Sequence, residues 1–154
     1  MEGLKHTYIR ERFTFPNIKS ELGEFDRVAD TFGLESDVLV FLAKTEGKMV
    51  VLDDAMWVHL HNTDSINITK GDWETVDANV QEGNKSADKP RDWKFLKHKI
   101  ESGIKLDASI IMKYGDLYHV VSGNTRLMVS KALGINPEVL IFEYRENRFN
   151  EDFK

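Results

Sequence analysis

Between the apolar stretches Leu117–Val121 and Leu127–Leu133 stands the run Ser122-Gly123-Asn124-Thr125-Arg126. A glycine among small polar residues at the entry to an apolar-periodic segment marks a helix start. The first N–H groups of a helix lack intrahelical acceptors, and the helix dipole adds partial positive charge at the same end. Such a place suits a phosphate. Arg126 strengthens that reading, because a planar guanidinium fork matches phosphate oxygens. As a ligand-facing side chain, Arg126 is expected to matter for nucleotide binding and hardly at all for the melting temperature. The plainer reading is a capped helix start, in which Ser122 or Asn124 satisfies those N–H groups at about 1 kcal/mol.

Two titratable residues lie close by in the chain. His119 sits on the strand that feeds the turn, and its ordinary pKa suits a general acid or base. Asp107, ahead of the preceding strand, suits Mg²⁺ binding or proton acceptance from an attacking hydroxyl. Each has a structural alternative: a half-buried histidine, and a carboxylate closing the turn after Gly103. The basic cluster Lys89, Arg91, Lys94, Lys97, His98, Lys99 and Lys105 is the main positive region. Lys94 and Lys97 share one helical face. They suit phosphate contacts, or else form the solvated side of a helix whose other face is Trp93, Leu96 and Ile100. His59 and His61 lack an obvious third ligand, so no metal site is assigned. Trp57, Trp73 and Trp93 read as core anchors.

The elements that position these residues follow from periodicity. Arg10-Glu11-Arg12 and Phe13-Thr14-Phe15-Pro16 suggest a short edge strand ending in a turn. Leu22, Phe25, Val28, Ala29 and Phe32 recur at helical spacing between Ser20 and Gly33. A second helix runs from Ser36 to about Thr45, and Lys48–Leu52 reads as a strand. Residues 55–61 alternate as a strand does, yet follow Asp53 and Asp54 as a helix would; helix is preferred. A short helix is expected over Trp73–Val80, with loop composition from Gln81 to Pro90. Asp92 caps a helix ending near Gly103. Ala108–Met112 and Leu117–Val121 form a hairpin. A helix from about Thr125 ends at Gly134, Val139–Phe142 closes the sheet, and Arg145–Lys154 is a frayed tail.

The chain has 154 residues, 41% hydrophobic and 31% charged, with a formal charge of −5 and no cysteine. Such a chain buries a core without staples. Thiol catalysis, disulfides and thiolate metal sites are excluded. The acidic balance argues against sequence-blind coating of nucleic acid. No apolar run approaches the roughly 20 residues needed to cross a bilayer. The start lacks a signal peptide's apolar core, so a cytoplasmic protein is expected.

The order helix, Gly103, strand, turn, strand, Ser-Gly-Asn-Thr-Arg-Leu, helix, Leu-Gly-Ile and Pro-Glu-Val-Leu-Ile resembles the core of the ParB/sulfiredoxin superfamily over residues 91–143. Gly123, Arg126, Leu133 and Gly134 carry the match. The resemblance implies an α+β fold: a small mixed sheet flanked by helices, with residues 1–90 as a helical elaboration packed on a core of residues 91–154. It implies nucleotide or phosphate binding through Ser122, Gly123, Asn124, Thr125 and Arg126, with ATP or CTP and magnesium as cofactors. Lys94 and Lys97 are further phosphate contacts, and Asp107 and His119 the catalytic pair. Asn124 follows the glycine where sulfiredoxins need cysteine, so that chemistry is excluded. The acid and further arginine of the CTP-binding members, and the histidine of kinase-like ones, are also missing from the turn. Two classes therefore stay open. One is a nucleotide-dependent phosphotransferase or nucleotidase in nucleic-acid metabolism. The other is a non-catalytic module for a nucleic acid or protein partner, such as a phage accessory or anti-defence protein.

Overall fold

A computed structural model describes residues 12–87 and 90–146. The acidic tail from residue 147 and Lys89 lie outside the described residues. The fold is α+β. Its centre is a five-stranded mixed sheet in the order β2-β7-β5-β6-β3. The middle strand β5 (Ser109–Tyr114) pairs antiparallel with β6 (Leu117–Ser122) and parallel with β7 (Glu138–Tyr144). A tight turn with Gly115 at φ +62° makes the hairpin. Helix α6 (Asn124–Leu133) carries the chain from β6 across to β7.

The two edges of this sheet come from the first half of the chain. Strand β2 (Lys48–Val51) pairs antiparallel with β7, and β3 (Leu60–His61) parallel with β6. The first ninety residues, read from the sequence as a helical elaboration, therefore also supply both edge strands of the C-terminal sheet. A separate two-stranded pairing joins β1 (Phe13–Thr14) to β4 (Leu106–Asp107). These strands are too short for a periodic signal; the pairing exists because Phe13 buries itself among Val76, Trp93, Ile100 and Ala108.

Helices cover both faces. Helix α1 (Leu22–Phe32) and α2 (Ser36–Glu46) pack Phe25, Val28, Leu39 and Leu42 against Ile110, Met112, Val121 and Phe142. On the opposite face, Leu127 of α6 joins Ile111, Val120, Val139 and Trp57. The outer side of α6, through Met128, Val129 and Ala132, meets α4 (Trp73–Asn84) and α5 (Trp93–Glu101). Helix α6 is thus covered on two sides, and its buried residues include the polar Thr125 and Ser130 as well as Leu127, Met128, Val129 and Ala132. Trp57 and Trp93 are buried and Trp73 stacks on Trp93 at 5.3 Å, so all three are core anchors.

Local chemistry explains the element ends. Asp53, Asp72 and Asp92 each accept a hydrogen bond from an N–H of the first turn they precede. Residues 55–61 split between the two readings: α3 (Asp54–Trp57) follows the Asp53 cap, then Leu60 and His61 join the sheet edge beside Tyr118 and His119. Helix α4 runs through Asn84, past the loop expected from Gln81, because Val80 still packs inward. Ser20 does not cap α1; a single 3-10 turn, Ile18–Glu21, leads into it.

The turn from β6 into α6 is the tightest junction. Gly123 has φ +93°, a conformation side chains resist. A Cβ there would lie 2.7 Å from the Ser109 Cβ and 2.8 Å from its Cα, and the Ser109 hydroxyl donates to the Gly123 carbonyl at 2.9 Å. Gly123→Ala is expected to cost about 2–6 kcal/mol, combining positive-φ strain with overpacking. A denaturant midpoint unchanged from the parent would show that the junction relaxes.

Candidate phosphate-binding cleft

Gly123 occupies the N-cap position of α6, and no side chain caps the helix. The first N–H to find a helical partner belongs to Leu127, which donates to the Gly123 carbonyl at 3.0 Å. The N–H groups of Asn124, Thr125 and Arg126 have no acceptor among the described residues. Beside them, the Ser122 side chain is 5% exposed and its Oγ makes no hydrogen bond. A buried hydroxyl without a partner is costly, and calls for a water or ligand atom. Donors and an orphaned hydroxyl thus gather at one helix start.

The helix start lies on a cleft of about 910 Å³. Ser122, Gly123, Asn124 and Thr125 line one wall, and Ser20, Glu24 and Arg27 come from the segment entering α1 and its first turns. Asn79, Val80, Gly83 and Asn84 of α4 line another, closed by Pro90 and Arg91. Asn62 and Asp64 complete the rim. The volume suits a small molecule rather than a lone ion.

Asn124 is occupied with positioning. Its Oδ1 accepts from the Thr63 hydroxyl at 2.6 Å and the Asp64 N–H at 3.0 Å, and its Nδ2 donates to the Asp64 carboxylate at 3.1 Å. Asn62, at φ +65°, donates from Nδ2 to the Val120 carbonyl at 2.8 Å. The Trp57 indole donates to the Ser65 hydroxyl at 2.8 Å, and Ser65 is hydrogen-bonded to Thr63. These bonds hold the loop of residues 62–65 against the start of α6.

Arg126 is committed inward, contrary to its expected role as a ligand-facing side chain. Its guanidinium donates from Nη1 to the Asp107 carbonyl at 2.6 Å and from Nη2 to the Glu21 carboxylate at 3.4 Å. The side chains of Arg126 and Glu21 are only 12% and 19% exposed. Burial pulls the Arg126 pKa down, the Glu21 and Asp107 carboxylates oppose this, and Arg91 adds a smaller downward push. The physical reason for the inward turn is that the end of β4 and the entry to α1 supply the oxygens that a buried guanidinium needs.

The other expected site residues are not brought to the cleft. The Asp107 carboxylate accepts from the Asn17 N–H at 3.0 Å, which ties down the segment after β1. His119 pairs across the strands with His61 and sets its ring edge against Phe32 at 5.0 Å. Burial lowers its pKa, and His61 contributes. Lys97 bonds Glu101 at 3.1 Å and lies 5.1 Å from the Trp73 ring centre; Lys94 lies 5.7 Å from that of Trp93. Neither lysine lines the cleft. Among the described residues no group of three or more His, Asp or Glu side chains is placed to hold a metal ion. No helix among the described residues is long and apolar enough to cross a membrane.

Arg27, Asn79, Asn84 and Glu21 escaped sequence reasoning altogether. Only Arg91 carried a signal, as one member of the basic cluster. No protein-family model matches the chain, and neither do curated proteins or solved structures.

Arg126→Ala strands the Glu21 carboxylate and the Asp107 carbonyl, an expected cost of about 1–3 kcal/mol. The melting temperature should fall by roughly 2–12 °C; a thermal scan with no fall would show that water replaces the guanidinium. His119 gives a pH dependence. Its folded pKa lies below the ordinary 6.5, so on acidification the unfolded chain takes up a proton before the folded chain does. Its stabilising contribution is full above pH 6.5 and is lost as the pH falls toward the lowered value. Urea midpoints should therefore drop as the pH is lowered through about 6.5, and His119→Leu should flatten that part of the slope.

Proposed function

We propose that the cleft binds the phosphate group of a small phosphorylated ligand, a nucleotide being the class implied by a ParB/sulfiredoxin-like core over residues 91–143. One observation carries this reading: the uncapped start of α6 presents free N–H groups beside the orphaned, buried Ser122 hydroxyl on a cleft of about 910 Å³. A phosphate seated there gains charge-assisted hydrogen bonds from the free N–H groups. The element order helix α5, hairpin, glycine turn, α6 and β7 supports the superfamily assignment.

The reading favoured between the two classes is a binding module. Asp107 and His119, the residues suited to proton transfer, are engaged away from the cleft. A cytoplasmic protein whose nucleotide occupancy controls contact with a nucleic acid or protein, as in a phage accessory protein, fits this class. A second reading rests on Glu24 and Asp64. Both carboxylates line the same cleft, and with Mg²⁺ on the ligand's phosphates they would support a phosphotransferase or nucleotidase.

Thermal shifts with ATP, CTP and GTP, each with and without Mg²⁺, test the proposal. A ligand at 100 times its Kd should add about 2.7 kcal/mol. Stabilisation without turnover is expected. Stabilisation with turnover moves the assignment to the enzyme. Failure of every nucleotide and of inorganic phosphate to raise the melting temperature refutes phosphate binding.

A further inference from the structure

We infer that Arg91 is the charged side chain that meets the ligand's phosphate, and that Asn84 is the residue that positions it. The inference rests on the phosphate reading of the cleft and deepens it. Three arginines surround this site, and they are not equivalent. Arg126 is spent on Glu21 and on the Asp107 carbonyl. Arg27 lines the cleft but lies 3.7 Å from the Glu24 carboxylate on the same helix. Arg91 also lines the cleft, is exposed, and has no carboxylate partner among the described residues.

The Arg91 backbone is nevertheless held firmly. The Asn84 side chain grips it twice: the Arg91 N–H donates to Oδ1 at 2.7 Å, and Nδ2 donates to the Arg91 carbonyl at 3.0 Å. Asn84 is the last residue of α4, and Arg91 directly precedes the Asp92 cap of α5. The same two helices are locked once more by the Trp73–Trp93 stack and by the Trp93 indole, which donates to Asp77 at 2.9 Å. A guanidinium with no carboxylate partner among the described residues is thus carried at the cleft wall on a backbone mount held by two hydrogen bonds. Such a mount lowers the ordering cost of binding. Arg91 also stands close enough to Arg126 for the two positive charges to repel. A guanidinium without a carboxylate partner beside a positive helix end favours an anion, and its planar fork matches the oxygens of a phosphate.

Calorimetric titration of the full chain with inorganic pyrophosphate at low salt tests this. Arg91→Ala should weaken binding at least tenfold, leave the melting temperature unchanged and reduce the salt dependence. Arg91→Lys should recover part of the loss. Asn84→Ala should weaken binding severalfold in the parent, yet have no further effect in an Arg91→Ala background. A purely structural role for Asn84 would give the same loss in both backgrounds and overturn its positioning role. Asn84→Asp, which keeps the acceptor and loses the donor, serves if the alanine variant does not fold. Parent-like pyrophosphate binding by Arg91→Ala overturns the inference and leaves the cleft reading standing. No pyrophosphate binding by the parent chain removes both.

Discussion

A single buried guanidinium sits where three parts of the fold meet. Arg126 projects from the first turn of α6, reaches the carbonyl at the end of β4 and ends against Glu21 at the entry to α1. A positive charge taken out of water must be met by oxygens. Those that meet it, the Asp107 and Ala108 carbonyls and the Glu21 carboxylate, come from segments far apart in the chain. The junction therefore fixes how the start of α1 stands relative to the start of α6, and residues at both starts line the cleft. The side chain that most resembled a ligand-binding group instead sets the shape of the place where a ligand goes.

The cleft owes its donors to a second constraint. Gly123 passes so close to Ser109 that only glycine fits, and its positive φ turns the chain from β6 into α6 without a capping side chain. Asn124, which has the chemistry to cap, is drawn away to Thr63 and Asp64. The helix start stays open because its neighbours are occupied elsewhere. The loop of residues 62–65 and the Asn84–Arg91 grip then close the sides. Each of these devices uses an asparagine amide, which donates and accepts at once and so can hold backbone in a fixed direction.

Much of the fold was legible in the sequence. The apolar spacing in α1 and α5, the Asp92 cap, the hairpin around Gly115 and the stop at Gly134 are local effects of period, capping and positive φ. Of the short strands, β1 was suggested by the Phe13 segment and β3 lay within a stretch that read as either helix or strand, while β4 and all of their pairings were not legible. Two residues cannot display alternation, and their pairing depends on partners far along the chain. Residues 81–84 have loop composition yet remain helical, because packing of Val80 outweighs weak propensity.

The site divides in the same way. Residues 122–126 announced a helix start suited to an anion by themselves, since a glycine between a strand and an amphipathic segment determines where free N–H groups appear. Which side chains face that start was decided by tertiary structure alone. Local sequence sets backbone direction and cap chemistry, but a guanidinium or carboxylate goes to whichever charge and oxygen the packed neighbours supply. That is why Arg126 and Asp107 turned inward, His119 went against Phe32, and Arg91, one of several basic residues in a row, came to the cleft wall.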